Sequence, residues 1–271
     1  MSLISTAAAT AGTASRKRGP WVIAGAVTTV LAIALGGLVI LQWLGRPSEQ
    51  RETQQWTYPL QAANIVIDAK RGLGDIVVLP GGTGEVAVER EVTWDREKPV
   101  MDVIWADGRL QISVDCPADL LYETTCEVTH TIRVPTGTRV DLASDVGDVK
   151  IKDIRGDLRV DSGTGDLEVA AATGALVVRV GTGDATLTGL RVREADLSLD
   201  TGDLRSAFIQ APQRVTANVH TGTLDIDVPN DGGYRIEAVV ETGGRTIDLR
   251  QQSGATRTII ARVDTGELRL R

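Results

Sequence analysis

Aromatic residues make up only 3% of this 271-residue chain. A core with so few rings has to be filled by Val, Leu, Ile and Ala, which suits thin, regular layers of strands better than a deep globular interior. Histidine and cysteine occur twice each. Two cysteines with two distant histidines, His130 and His220, do not make a four-ligand zinc site, and so sparse a set leaves little for nucleophilic catalysis. No Gly-x-Ser-x-Gly elbow, phosphate loop, His-Glu-x-x-His or Cys-x-x-Cys is present. Acid is missing from residues 1–44, which carry Arg16, Lys17 and Arg18, so a chain of net charge −7 places −10 on the remainder. That acidic remainder speaks against nucleic acid as a partner, since phosphate backbones need clustered Lys and Arg. Helical periodicity is absent from everything beyond the first 60 residues.

What the chain does have is a repeated phrase: apolar, any, Ser/Thr, Gly, polar, apolar. It reads Val180-Gly-Thr-Gly-Asp-Ala185, Leu199-Asp-Thr-Gly-Asp-Leu204, Val219-His-Thr-Gly-Thr-Leu224 and Val263-Asp-Thr-Gly-Glu-Leu268. A longer form is Val160-Asp-Ser-Gly-Thr-Gly-Asp-Leu167, and a degenerate one starts at Val240-Glu-Thr-Gly-Gly244. Its glycines, Gly147, Gly165, Gly183, Gly202, Gly222, Gly243 and Gly266, lie 18, 18, 19, 20, 21 and 23 residues apart. Self-similarity at this period marks a solenoid or array. Strands alternate on both sides of each phrase, as in Val215-Thr-Ala217-Asn-Val219 and Leu224-Asp-Ile226-Asp-Val228. Alternation buries one face and wets the other. The phrase is therefore a corner, where Gly permits positive φ. The Ser or Thr before it can stack on its equivalents in neighbouring coils. The expected fold is all-β: a single-stack, β-helix-like solenoid of six or seven coils, roughly 30 Å long at ~4.8 Å per coil.

Asp148, Asp166, Asp184 and Asp203 follow the corner glycines in a column that becomes Thr223, Gly244 and Glu267. A calcium ladder would need a Gly-Gly-x-Gly-x-Asp spacing that is absent. The column reads instead as solvated turn residues accepting backbone amides, with no metal or cofactor site. Gly181-Thr-Gly-Asp184 imitates a phosphate cradle, but no helix follows to supply the anion site. His130 and His220 each sit in alternating strands and are expected on the wet face.

From Trp21 to Leu44 run 24 residues without charge. As a helix they would extend roughly 36 Å, enough to cross a ~30 Å hydrocarbon core with some tilt, and Trp21 and Leu44 mark the ends of the span. A cleaved signal peptide has a shorter apolar region and a small-residue cleavage site, which Gln42-Trp43-Leu44-Gly45-Arg46 does not provide. An uncleaved single-pass anchor is the better reading. Three basic residues before the span and a diluted flank after it place the N-terminus in the cytoplasm and the body outside. Cys116 and Cys126 then fall in an oxidising compartment and are expected to form a disulfide at the base of an excursion between two strands.

The organisation that follows is a cytoplasmic tail (1–20), a transmembrane helix (21–44), a juxtamembrane linker (45–60), an N-terminal capping part (61–136) and the solenoid repeats (137–271). Gly74-Asp-Ile-Val-Val, Ile132-Arg-Val-Pro135 and the repeated Ser/Thr-Gly-Asp-Leu make residues 61–271 resemble the bacterial DUF4097 family, also called putative adhesin. The resemblance implies a β-solenoid-like body at the cell envelope. It brings no catalytic residues, and members are often membrane-anchored, some beside envelope-stress systems. The expected function is a non-catalytic binding or structural role at the envelope, toward a wall polymer, an envelope protein or another cell. An accessory regulator of an envelope-stress system is the alternative, and a carbohydrate-active enzyme the third reading.

Overall fold

Alternating Val, Leu and Ile positions form strands that stack their apolar columns on one another. The computed structural model describes residues 31–37, 49–60, 63–117 and 125–271. It divides into two units, 1–48 and 49–271. In the first, residues 31–37 are helical. Among the described residues no helix is long and apolar enough to cross a membrane. The rest of the 21–44 segment, with its ends Trp21 and Leu44, lies outside the described residues.

The second unit is all strand. β1 (Gln50–Pro59) opens it, so residues read as linker form a ten-residue strand. β2 (Asn64–Leu73), β3 (Asp75–Gly81), β4 (Glu85–Trp94), β5 (Val100–Ala106), β6 (Arg109–Asp115) and β7 (Cys126–Pro135) follow. The repeat supplies β8 (Arg139–Val146) with β9 (Val149–Lys152), and β10 (Leu158–Thr164) with β11 (Leu167–Ala170). It continues with β12 (Leu176–Thr182) and β13 (Ala185–Leu190), then β14 (Glu194–Thr201) and β15 (Leu204–Phe208). The last three strands, β16 (Arg214–Asp227), β17 (Arg235–Ile247) and β18 (Thr258–Leu270), each run unbroken through their corner.

Successive coils pair in parallel, residue for residue. One inward column runs Val140, Leu158, Leu176, Ala195, Val215, Ile259, Ile236 across seven coils. Each member is buried. Burying one such Val or Leu contributes about 2 kcal/mol, so a column stabilises only as a stack.

The order of coils in space departs from their order in sequence at both ends. β2 and β3 pair with β8 and β9 on one side and with β6 and β7 on the other, so the coil 64–81 lies between the coils 109–135 and 139–152. At the other end β18 pairs with both β16 and β17. The last strand of the chain is thus inserted, and the degenerate repeat of β17 is the terminal coil. The reason is chemical. Arg245 and Gly244 of β17 stand opposite Leu268 and Glu267 of β18. A coil that lacks the inward Leu loses least at the end of the stack. Counting β6 with β7, nine coils stack where six or seven were expected. At the opposite end β5 adds antiparallel to β6, and β4 then β1 add antiparallel to β7.

Candidate functional site

The corner glycines are the first candidates. All seven read from the sequence adopt φ between +131° and +141°. They also stand in a ladder. A Cβ on Gly202 would overlap the carbonyl oxygen of Gly183, and one on Gly165 that of Gly147. The same clash recurs at each step through Gly222, Gly266 and Gly243. The glycines therefore serve construction twice, by conformation and by close approach. Gly74, at φ +154°, is a further corner that the phrase did not reveal, because Leu73 replaces its Thr.

Beside them the carboxylates act between coils. The amide N–H of Asp148 donates to Asp75 Oδ1 at 2.9 Å, that of Asp166 to Asp148 at 3.0 Å, and that of Asp184 to Asp166 at 2.9 Å. Asp203 N–H donates to Asp184 at 2.9 Å, and Thr223 N–H to Asp203 at 3.0 Å. Each turn Asp accepts an amide, as the sequence implied, but from the following coil. Charge-assisted bonds of this kind tie coil to coil. Burial opposes the charge of Asp203, yet the hydrogen bonds from Thr223 and the Arg205 guanidinium hold its carboxyl below the usual range. Among the described residues no group of three or more His, Cys, Asp or Glu side chains is placed to hold a metal ion. His220 is exposed, and its Nδ1 lies 2.7 Å from Asp264.

Cys116 and Cys126 are joined as a disulfide, with Cα atoms 6.1 Å apart. Where neighbouring coils turn on one glycine, the coil of β6 and β7 leaves at Cys116 and returns at Cys126. The bond closes that corner. Residues 118–124 lie outside the described residues.

His130 corrects the sequence reading. It is 1% exposed, not on the wet face. In β7 it faces inward and registers with Arg90 of β4, itself 5% exposed. Burial, with the nearby Arg90 cation, lowers the His130 pKa to about 4. The sequence reading takes His130 by its own polarity rather than by the company it keeps on its face of the strand. The inward face of β7 carries Val128, His130, Ile132 and Val134, and three of those four are apolar. That count was the available signal.

Around this pair lies an aromatic cluster. Arg90 sits over the Trp56 ring at 5.0 Å and Lys98 over Trp94 at 5.4 Å. Tyr58 of β1 and Trp105 of β5 stack at 5.4 Å. They bridge the two edge strands and cover this end of the core. A chain with few rings thus spends four of them at one end of the stack.

The edge opposite the glycine corners is built from the return loops. There Ile154, Ala172, Val192 and Pro212 turn inward. Between successive loops an open groove of about 420 Å³ is lined by Thr173, Gly174, Ala175, Arg193, Glu194 and Gln213. Small residues (Gly174, Ala175) and polar ones (Thr173, Arg193, Glu194, Gln213) share its lining.

The model of the Toastrack DUF4097 family matches residues 127–264. The chain belongs to that family. Among solved structures it is similar to a putative cell adhesion protein from Clostridium sporogenes, at 12% identity and a TM-score of 0.36, covering 81% of this chain and 99% of that one. It is also similar to a putative adhesin from Parabacteroides merdae, at 14% identity and a TM-score of 0.38, covering 80% and 96%. A putative lipid binding protein from Parabacteroides distasonis matches at 10% identity and a TM-score of 0.30, covering 80% and 96%. No curated protein matches the chain.

Proposed function

We propose that this protein is a non-catalytic binding protein of the bacterial cell envelope, its β body outside the cytoplasm and held to the membrane by residues 21–44. The observation that carries the reading is the disulfide-closed corner on a rigid stack. Such a bond persists in oxidising compartments. The repeated residues are committed to building: glycines to close approach, aspartates to amides of the next coil. What remains for recognition is the return-loop groove and the flat outer faces, where regularly spaced polar side chains suit a wall polymer or an envelope protein.

Topology is testable through lysine. The chain has five: Lys17 in the tail, and Lys70, Lys98, Lys150 and Lys152 exposed on the body. A membrane-impermeant amine reagent applied to intact cells is expected to label the four body lysines and spare Lys17. Labelling of Lys17 alone would reverse the orientation. Recognition is tested separately, by sedimenting the full chain, kept in neutral detergent, with isolated cell-wall material. Retention that is lost in Arg193→Ala/Gln213→Ala is expected, and retention unchanged by that pair moves the site off the groove.

A further inference from the structure

The two ends of the stack are finished differently. One is covered by β1, β4 and β5 and by the Tyr58–Trp105 stack. The other ends on β17, a 13-residue strand with β18 as its single ladder partner. Its residues are exposed or half-buried from Glu237 to Ile247, and Val239 is 50% exposed. Residues 250–252 fold back to pair only with Tyr234, just before the strand, so from Ile236 onward the outer edge of β17 has no ladder partner among the described residues, and such an edge is a template for another strand. A second copy related by a two-fold axis normal to the sheet would lay its own β17 antiparallel on this edge, as β4 and β5 lie antiparallel on β7 and β6 at the other end. The side chains of β17 are also mutually complementary, with Arg235 and Arg245 against Glu237 and Glu241, so two otherwise acidic chains could meet here without net repulsion.

One residue stands in the way. Arg245 occupies the position that Leu268 fills in β18, the inward column of the core. There it stays exposed, and its Nη1 donates to the carbonyl oxygen of Ala238 at 2.8 Å. It thereby puts a charge across the open end of the core and satisfies an acceptor of the free edge. Both are known ways of blunting an edge strand.

We propose that the β17 edge is a self-association surface held closed by Arg245, and that the strand it fits is a second copy of this chain. The surface is independent of what the groove or the faces bind. The test is Arg245→Leu in the full chain in neutral detergent, followed by sedimentation velocity over a hundredfold concentration range. The wild-type chain is expected to remain one species, while the variant forms concentration-dependent dimers, the covered opposite end preventing longer assemblies. Adding Ala238→Pro, which removes an edge N–H and is tolerated at sheet edges, should return the variant to one species. An Arg245→Leu chain that stays a single species throughout overturns the proposal. So does association that Ala238→Pro leaves intact, because the contact would then lie elsewhere. Arg245→Ala, which adds no new apolar bulk, replaces the Leu variant if that one fails to fold. A smaller shift in the same direction is expected from it, and none would count against the proposal.

Discussion

At each corner a single hydrogen atom decides whether the stack closes. Gly202 has φ +135° and approaches the Gly183 carbonyl too closely for a methyl group. Gly202→Ala combines backbone strain with a clash that moves two coils, and a loss of roughly 3 kcal/mol is expected. Gly254→Ala, with nothing within 4 Å of the new Cβ, should leave the melting temperature nearly unchanged. Equal effects from the two would refute the ladder. His130 gives a pH test. Its folded pKa of about 4 lies below the ordinary 6.5. As pH falls the unfolded chain takes up the proton first, so the stability held by the neutral imidazole is complete above about 6.5 and disappears between there and about 4. A steeper fall of the urea midpoint from pH 7 to 4.5 is expected in the wild type than in His130→Phe. The sequence showed the glycines by their period and the turn aspartates by their company. It did not show that each Asp reaches across to the next coil, because an inter-coil bond exists only once the coils are stacked.

Among the elements, the order of the last two coils is the least legible feature and the easiest to test. A chain that simply winds upward would lose only its end coil on truncation. Here removal of residues 254–271 takes away β18, the common partner of β16 and β17. The terminal coil then has nothing to pair with, and the inward residues of β16 are bared. Truncation is expected to lower the melting temperature by more than 10 °C, or to give insoluble protein, whereas a mild effect would argue for the sequential order. The clues were present: Gly243 and Gly266 are the most widely spaced of the corners, and the repeat at Val240 is the degenerate one. They could not be read as an inversion, since period and pattern say what each coil is and not where it sits. β1 was missed for a related reason. Its polar, Gln-rich sequence buries little, and only antiparallel pairing with β4 makes it a strand.

On the scale of the molecule, the disulfide is a covalent staple against opening of the stack. In the chain-entropy model a loop this short contributes about 3 kcal/mol. Cys116→Ser/Cys126→Ser is expected to lower the guanidinium midpoint accordingly, and dithiothreitol should reproduce the shift in the wild type but not in the double variant. A wild-type midpoint insensitive to reduction would show that β6 and β7 are held by their neighbours alone.

The sequence by itself determined the architecture: all strand, a coil of about 20 residues, corners on glycine, and a cysteine pair where one corner had grown long. These are local facts, fixed by φ preference, alternation and spacing, and they hold for each coil separately. Only the tertiary structure decided which coils are neighbours, that His130 is buried against Arg90, how the Asp column is used, and which strand edge is left unpaired beside Arg245. Those are relations between segments distant in the chain, and their energies arise when one coil's apolar column and free backbone groups meet another's.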